Sequence, residues 1–210
     1  YDRAALAVAD GWPLVTASRW LGSPLPERVA GSDLVPRLLA RGYEIPGFRV
    51  FLLGAAPGVA EQARSRIHAR WPHLEVCGCY SPPTGFEQDD DENASMVTRV
   101  NDAAPHLLVV GLGAPRQEIW LHRYFMRLRV PVAIAAGATI DFLAGEQRRA
   151  PRWVQRLNLE WLYRVFSNPR RLAGRYLHDA AAFPLVFVTE LLGLIRPSAA
   201  PDNCEFHIDR

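Results

Sequence analysis

The 210-residue sequence contains no lysine, and all 24 of its basic residues are arginine. It has no Walker loop and no Gly-x-Ser-x-Gly elbow, which argues against a P-loop NTPase and a serine hydrolase. No run reaches the roughly 20 apolar residues of a spanning helix, which excludes a polytopic membrane protein. No charged-then-apolar leader opens the sequence at Tyr1, so a signal peptide is not expected from these residues. The absence of an initial Met suggests that an upstream segment was trimmed. Cysteine is scarce, at three residues. Cys77-x-Cys79 is neither a zinc nor a thioredoxin spacing, and Cys204 lies far away, so reduced cytosolic thiols are expected. The six histidines show no metal-site spacing.

Apolar residues make up 49% and charged residues 22% of the chain, the composition of an ordinary globular protein. The length suits one domain, or one domain with an appendage. Net charge is +2, but unevenly placed: residues 148–175 hold 8 arginines against the single acid Glu160. Residues 1–147 therefore read as the core, and residues 148–210 as an arginine-rich appendage.

Residues 1–47 read as helical with breaks: Tyr1–Ala9 is Ala/Leu-rich, Asp10-Gly11 is a turn dipeptide, and Leu34–Ala40 has helical spacing. Phe48–Leu53 is a short apolar run stopped by Gly54, with a helix expected over Val59–Arg70. Leu74–Cys79 reads as a second strand, residues 93–103 as a helix, and Leu107–Val110 as a buried strand. A helix over Gln117–Arg127 and a further buried strand over Val130–Ala136 follow, the latter closed by Gly137. Apolar strands separated by helices imply a Rossmann-like α/β fold, a mostly parallel sheet covered on both faces. Ligands in such sheets sit beyond the carboxyl ends of the strands, where these glycine turns fall. Beyond the core, residues 152–166 carry an apolar stripe (Trp153, Leu157, Trp161, Val165) beside a charged one. Ala180–Ile195 is apolar but too short to span a bilayer, and able to lie in one.

Gly54-x-x-x-Gly58 after a strand could present backbone N–H groups to a phosphate, although any βα turn favours glycine. Gly111-x-Gly113 is half of a dinucleotide fingerprint, but Pro115 and Arg116 replace the remainder, which weakens a nicotinamide reading. Pro115-Arg116-Gln117-Glu118 places polar side chains at the ligand edge. Asp89-x-Asp91 resembles the paired carboxylates of metal-dependent glycosyltransferases. It lies in an acidic run with no strand ahead of it, and a solvated loop capping the next helix is the better reading.

Taken together, ordered segments from about residue 2 to 178 resemble the WecG/TagA/CpsF family of bacterial glycosyltransferases (glycosyltransferase family 26). They are Ala9-Asp10-Gly11-Trp12-Pro13, Glu27-Arg28-Val29-Ala30-Gly31-Ser32-Asp33-Leu34, Phe51-Leu52-Leu53-Gly54, the stretch from Val110 through Gly111-Leu112-Gly113-Ala114-Pro115-Arg116-Gln117-Glu118 to Trp120, Gly137-Ala138-Thr139-Ile140-Asp141-Phe142-Leu143-Ala144-Gly145, Arg149-Ala150-Pro151 and Leu159-Glu160-Trp161-Leu162-Tyr163-Arg164. The resemblance implies an inverting, metal-independent enzyme needing no cofactor. It would move an N-acetylmannosamine-type sugar, or a related hexose or uronic acid, from a UDP-sugar onto a polyprenyl-diphosphate-linked sugar in cell-surface polysaccharide or teichoic acid synthesis. The site would be the cytoplasmic face of the bacterial inner membrane, with the protein held peripherally.

The resemblance makes Asp10 the base that takes the acceptor hydroxyl's proton. Arg28 would stabilise the leaving diphosphate, whose oxygens suit a guanidinium fork. Gly11, Gly54, Gly111, Gly113, Gln117 and Glu118 are the substrate-side candidates, with Gln117 expected on sugar or nucleotide and Glu118 either on substrate or orienting its neighbours. Basic segments are drawn to anionic lipid. Arg164, Arg170, Arg171 and Arg175 are accordingly the candidates for lipid diphosphate and membrane surface. The family carries a further N-terminal strand and this chain begins after it, so a sheet neighbour is expected to lose a partner. Two other readings remain open here: a non-catalytic nucleotide-sugar-binding protein, and a nucleic-acid module using the arginines of 148–175. The second fits poorly with an adjoining apolar segment. A homo-oligomer stays open as well.

Overall fold

Two glycine-terminated apolar runs form the centre of the fold: β1 (Arg49–Gly54) and β3 (Leu107–Gly111) pair in parallel, with Gly54 opposite Gly111. The computed structural model describes residues 4–147, 150, 151, 154, 162, 163, 165, 174 and 182–192. The chain divides into two units, one of Val29–Arg148 and one of Tyr1–Arg28 with Arg149–Arg210.

In the Val29–Arg148 unit, β2 (Glu75–Tyr80) flanks β1, and β4 (Val132–Ala135) flanks β3, so the parallel sheet runs β2-β1-β3-β4. Helices α2 (Gly31–Tyr43), α3 (Val59–Arg70), α4 (Asp90–Asp102), α5 (Arg116–Tyr124) and α6 (Thr139–Ala144) surround it. Strand side chains alternate faces. Val50, Leu52, Leu107 and Val109 accordingly pack with Val35, Leu39, Ile67 and Ile140 of α2, α3 and α6. Phe51, Leu53, Leu108 and Val110 pack on the other face with Met96, Val97, Trp120 and Tyr124 of α4 and α5. The α/β fold with helices on both faces is therefore present.

Two expectations need correction. Residues 130–136 do not form a buried strand: β4 is four residues long and largely exposed, Val132 at 49%. The reason is position, because β4 is the last strand of the described sheet and no strand follows β3 and β4 on that side among the described residues. The described part of the Ala/Leu-rich start is not helical either; residues 4–10 have no regular structure beyond a bend at Ala5, and Leu6 is 76% exposed. A short segment whose large apolar side chains, Leu6 and Val8, stand exposed buries too little to offset the cost of nucleating a helix.

In the other unit, α1 (Trp12–Trp20) begins after Gly11, which is extended rather than a tight turn, with Pro13 in its first turn. A second helical segment over 182–191 exposes Leu185, Val186, Val188 and Leu191. Trp20 stands edge-on to Phe187, ring centroids 5.7 Å apart. No helix among the described residues is long and apolar enough to cross a membrane.

Candidate functional site

Asp10 sits immediately ahead of the α1 N-cap, and Arg28 closes the same unit's N-terminal segment. The Arg28 Nη1 lies 3.6 Å from Asp10 Oδ1, with the arginine side chain 27% and the aspartate side chain 61% exposed. At that separation the contact is an ion pair rather than a tight hydrogen bond. The carboxylate can act as a proton acceptor toward solvent-borne hydroxyls. The guanidinium carries five N–H donors in a fork matched to phosphate.

In the Val29–Arg148 unit the ligand edge is built of backbone. The chain runs from β1 outward to β2, then crosses back to β3 and outward to β4, which makes the gap between the ends of β1 and β3 the point where strand order reverses. Gly54 has φ +116, and a Cβ there would stand 2.5 Å from the Gly111 carbonyl. A Cβ on Gly111 would in turn stand 2.9 Å from the Gly137 carbonyl oxygen. The ends of β1, β3 and β4 are thus packed main chain to main chain, a closeness only glycine permits. Ala55 N–H donates to Gly111 O at 3.0 Å, and Ser81 Oγ donates to Gly54 O at 3.0 Å, holding the first turn. Gly113 has φ +82, and Ala114–Pro115 is cis.

Helix α5 then delivers three polar side chains to three different environments. Arg116 pairs with Glu87 at 3.0 Å. Gln117 is 4% exposed; its Oε1 accepts from Gly137 N–H at 3.1 Å, and its Nε2 donates to Glu118 Oε1 at 2.8 Å. Glu118 Oε2 is shielded from solvent and has no hydrogen-bond partner. Gln117 was expected on sugar or nucleotide. The structure gives both of its amide atoms protein partners and leaves the open acceptor on Glu118.

Sequence reasoning read Gly137 only as the close of a strand and not as a brace point; it lies two residues beyond the end of β4. Ser32, in the first turn of α2, is 8% exposed with an unpartnered Oγ. It lies inside the matched Glu27–Leu34 stretch, but nothing in its residue type marks it. Asn93 was also missed: 1% exposed, it donates to Phe86 O and Asp89 O and accepts from Trp120 Nε1 at 2.8 Å.

The acidic run behaves as a helix start. Asp89 Oδ1 accepts from Glu92 N–H at 2.9 Å, and Asp90, Asp91 and Glu92 fill the first turn of α4. Glu92 accepts from the Tyr80 hydroxyl at 2.7 Å, a bond that raises the phenol pKa. A backbone hydrogen bond, and after it Arg116, holds Glu87 below the usual carboxylate value. No cluster of three or more His, Cys, Asp or Glu residues able to hold a metal ion occurs among the described residues. Cys77 and Cys79 are free thiols on β2; burial raises both, Cys79 to about 11. Arg164, Arg170, Arg171 and Arg175 lie outside the described residues, as do Trp153, Trp161 and Cys204.

Among curated proteins, the chain is 34% identical over 168 residues to the N-acetylglucosaminyldiphosphoundecaprenol N-acetyl-beta-D-mannosaminyltransferase of Bacillus spizizenii, covering 80% of this chain and 63% of that protein. The Bacillus subtilis protein of the same name is 36% identical over 162 residues, 77% of this chain and 60% of the relative. The Staphylococcus aureus (strain MW2) protein of that name is 31% identical over 171 residues, 81% and 65% respectively. The chain thus spans somewhat under two thirds of the length of these relatives. The model of the Glycosyl transferase WecG/TagA/CpsF family matches residues 1–196, nearly the whole sequence. With this match, and with an α/β sheet whose glycine turns fall at the strand ends the motifs named, the chain belongs to the WecG/TagA/CpsF family of glycosyl transferases.

Proposed function

We infer that this protein is an inverting, metal-independent glycosyltransferase that moves an N-acetylmannosamine-type sugar from UDP onto a polyprenyl-diphosphate-linked sugar. Family membership and the names of the relatives support the substrate class. The observation that carries the reading is the Asp10–Arg28 pair, an exposed carboxylate beside a guanidinium.

In this reading the acceptor hydroxyl oxygen attacks the anomeric carbon from the face opposite UDP. The bond to the diphosphate oxygen breaks, and the hydroxyl proton passes to the Asp10 carboxylate. Negative charge grows on the departing diphosphate and is met by Arg28. Its five donors make an Asp10 contact through one Nη compatible with a phosphate contact through others. Within the Val29–Arg148 unit, the turns that end β1 and β3 are the edge where open α/β sheets bind ligands. Arg164, Arg170, Arg171 and Arg175 bind lipid diphosphate and anionic headgroups, keeping the protein peripheral at the cytoplasmic face of the membrane.

The test is UDP release from UDP-N-acetylmannosamine with a soluble lipid-diphosphate N-acetylglucosamine analogue. Release should require the acceptor, survive a chelator, and fall by about 10²- to 10⁴-fold in Asp10→Asn, the usual range for loss of a general base. Unchanged turnover in Asp10→Asn would remove the proposed base, and loss with chelator would remove metal independence. A folded chain that binds UDP-sugar without turnover would favour the non-catalytic reading.

A further inference from the structure

Two adjacent side chains of α5 divide their work unequally. Gln117 is buried, and both ends of its amide are used: Oε1 holds Gly137 N–H, and Nε2 holds Glu118 Oε1. Because an amide has distinct donor and acceptor ends, this arrangement fixes the orientation of Gln117 and aligns one oxygen of Glu118. The other oxygen, Oε2, is out of reach of solvent and has no donor. A buried acceptor without a partner is costly and therefore rare, so its occurrence calls for an explanation. Its place supplies one. Glu118 is in the first turn of α5, directly after the Gly111–Pro115 turn that ends β3, where strand order reverses and ligands bind in this class of sheet.

We propose that Glu118 Oε2 accepts a hydrogen bond from a hydroxyl of the sugar nucleotide, and that Gln117 is a positioning residue that holds Glu118 and the Gly137 turn in register for it. The inference rests on the donor assignment given above. Glu118 as a whole is only half-buried. The terminal torsion of a glutamate is broad but turns both oxygens together, so Oε2 meets an arriving hydroxyl through a turn small enough to keep Oε1 within hydrogen-bond reach of Gln117. A carboxylate acceptor also fits the ligand's chemistry, since every hydroxyl of ribose and hexose can donate to it. Arg116, the neighbour on the other side, is tied to Glu87 and leaves Glu118 as the acidic group of this turn.

The experiment is calorimetric binding of UDP-N-acetylmannosamine, UDP and 2′,3′-dideoxy-UDP to the wild-type chain, Glu118→Ala and Glu118→Gln, with melting temperatures recorded for each. Loss of a hydrogen bond to a charged group should weaken binding of the sugar nucleotide to Glu118→Ala by roughly ten- to a hundredfold. Glu118→Gln keeps the shape and one acceptor, guards against a folding defect, and should lose less. A ribose hydroxyl as partner would weaken UDP equally. It would also make wild type lose the same factor with the dideoxy analogue, and Glu118→Ala lose nothing more. A hexose hydroxyl would leave UDP binding unchanged and weaken only the sugar nucleotide. Equal affinity of wild type and both variants for all three ligands overturns the inference and leaves the donor assignment standing. A folded wild-type chain that binds none of the three overturns the assignment and the inference together.

Discussion

Asn93 shows how much one amide can do when all its hydrogen-bonding capacity is used. It ties the turn before α4 to α4 itself and, through the Trp120 indole, to α5. Asn93→Ala removes these bonds and strands a buried indole N–H, so about 3 kcal/mol of stability should be lost in denaturant titration. Cys79 offers a test in solution chemistry. Burial raises its thiol from 9.0 to about 11, and the thiolate is the form that reacts, so alkylation at pH 8 should run about a hundredfold slower than for an ordinary cysteine. The sign for stability follows: keeping this thiol neutral helps the fold fully below pH 9, and the help fades as pH rises toward 11. Peptide-level mass spectrometry after timed alkylation checks the rate. Asp10 and Arg28 were singled out only through the family resemblance, since by residue type they read as an ordinary turn and an ordinary surface charge, and the structure sets them 3.6 Å apart. The unequal roles of Gln117 and Glu118 were not legible, because hydrogen-bond partners such as Gly137 lie twenty residues away and no local pattern announces them.

The elements most legible in the sequence are those with punctuation at both ends. Val59–Arg70 emerges as α3 with the expected bounds, since Gly58 takes the left-handed conformation ahead of it and Trp71 ends it. β1 and β3 were legible from apolar runs cut short by glycine. β4 was legible as a strand and not as an exposed one, because a strand's neighbours are settled by topology rather than by its own residues. The glycines at these turns differ sharply in what they tolerate. Gly54→Ala meets both a positive φ and the Gly111 carbonyl, and should cost about 3 kcal/mol or more. Gly47→Ala has φ +74 but nothing within 4 Å, and should cost about 1 kcal/mol. Paired thermal melts of the two variants separate backbone strain from steric overlap. Leu52→Ala, at the fully buried centre of β1, should cost about 2–5 kcal/mol.

For the molecule in its setting, charge distribution decides more than net charge. The arginine excess of residues 148–175 predicts binding to anionic vesicles that falls with added salt, because a Debye length shrinks to about 3 Å at 1 M. At about 1 kcal/mol per arginine near the surface, Arg170→Ala with Arg171→Ala should weaken vesicle binding roughly thirtyfold in a flotation assay. Neutral vesicles should bind weakly throughout. The exposed β4 has a different consequence, one for handling the purified chain. As the outermost strand among the described residues, with Val132 half-exposed, β4 is a template onto which a neighbouring polypeptide can zip. Concentrated solutions should therefore scatter more light as concentration rises, and Val132→Lys, which plants a charge on that rim, should keep them clear.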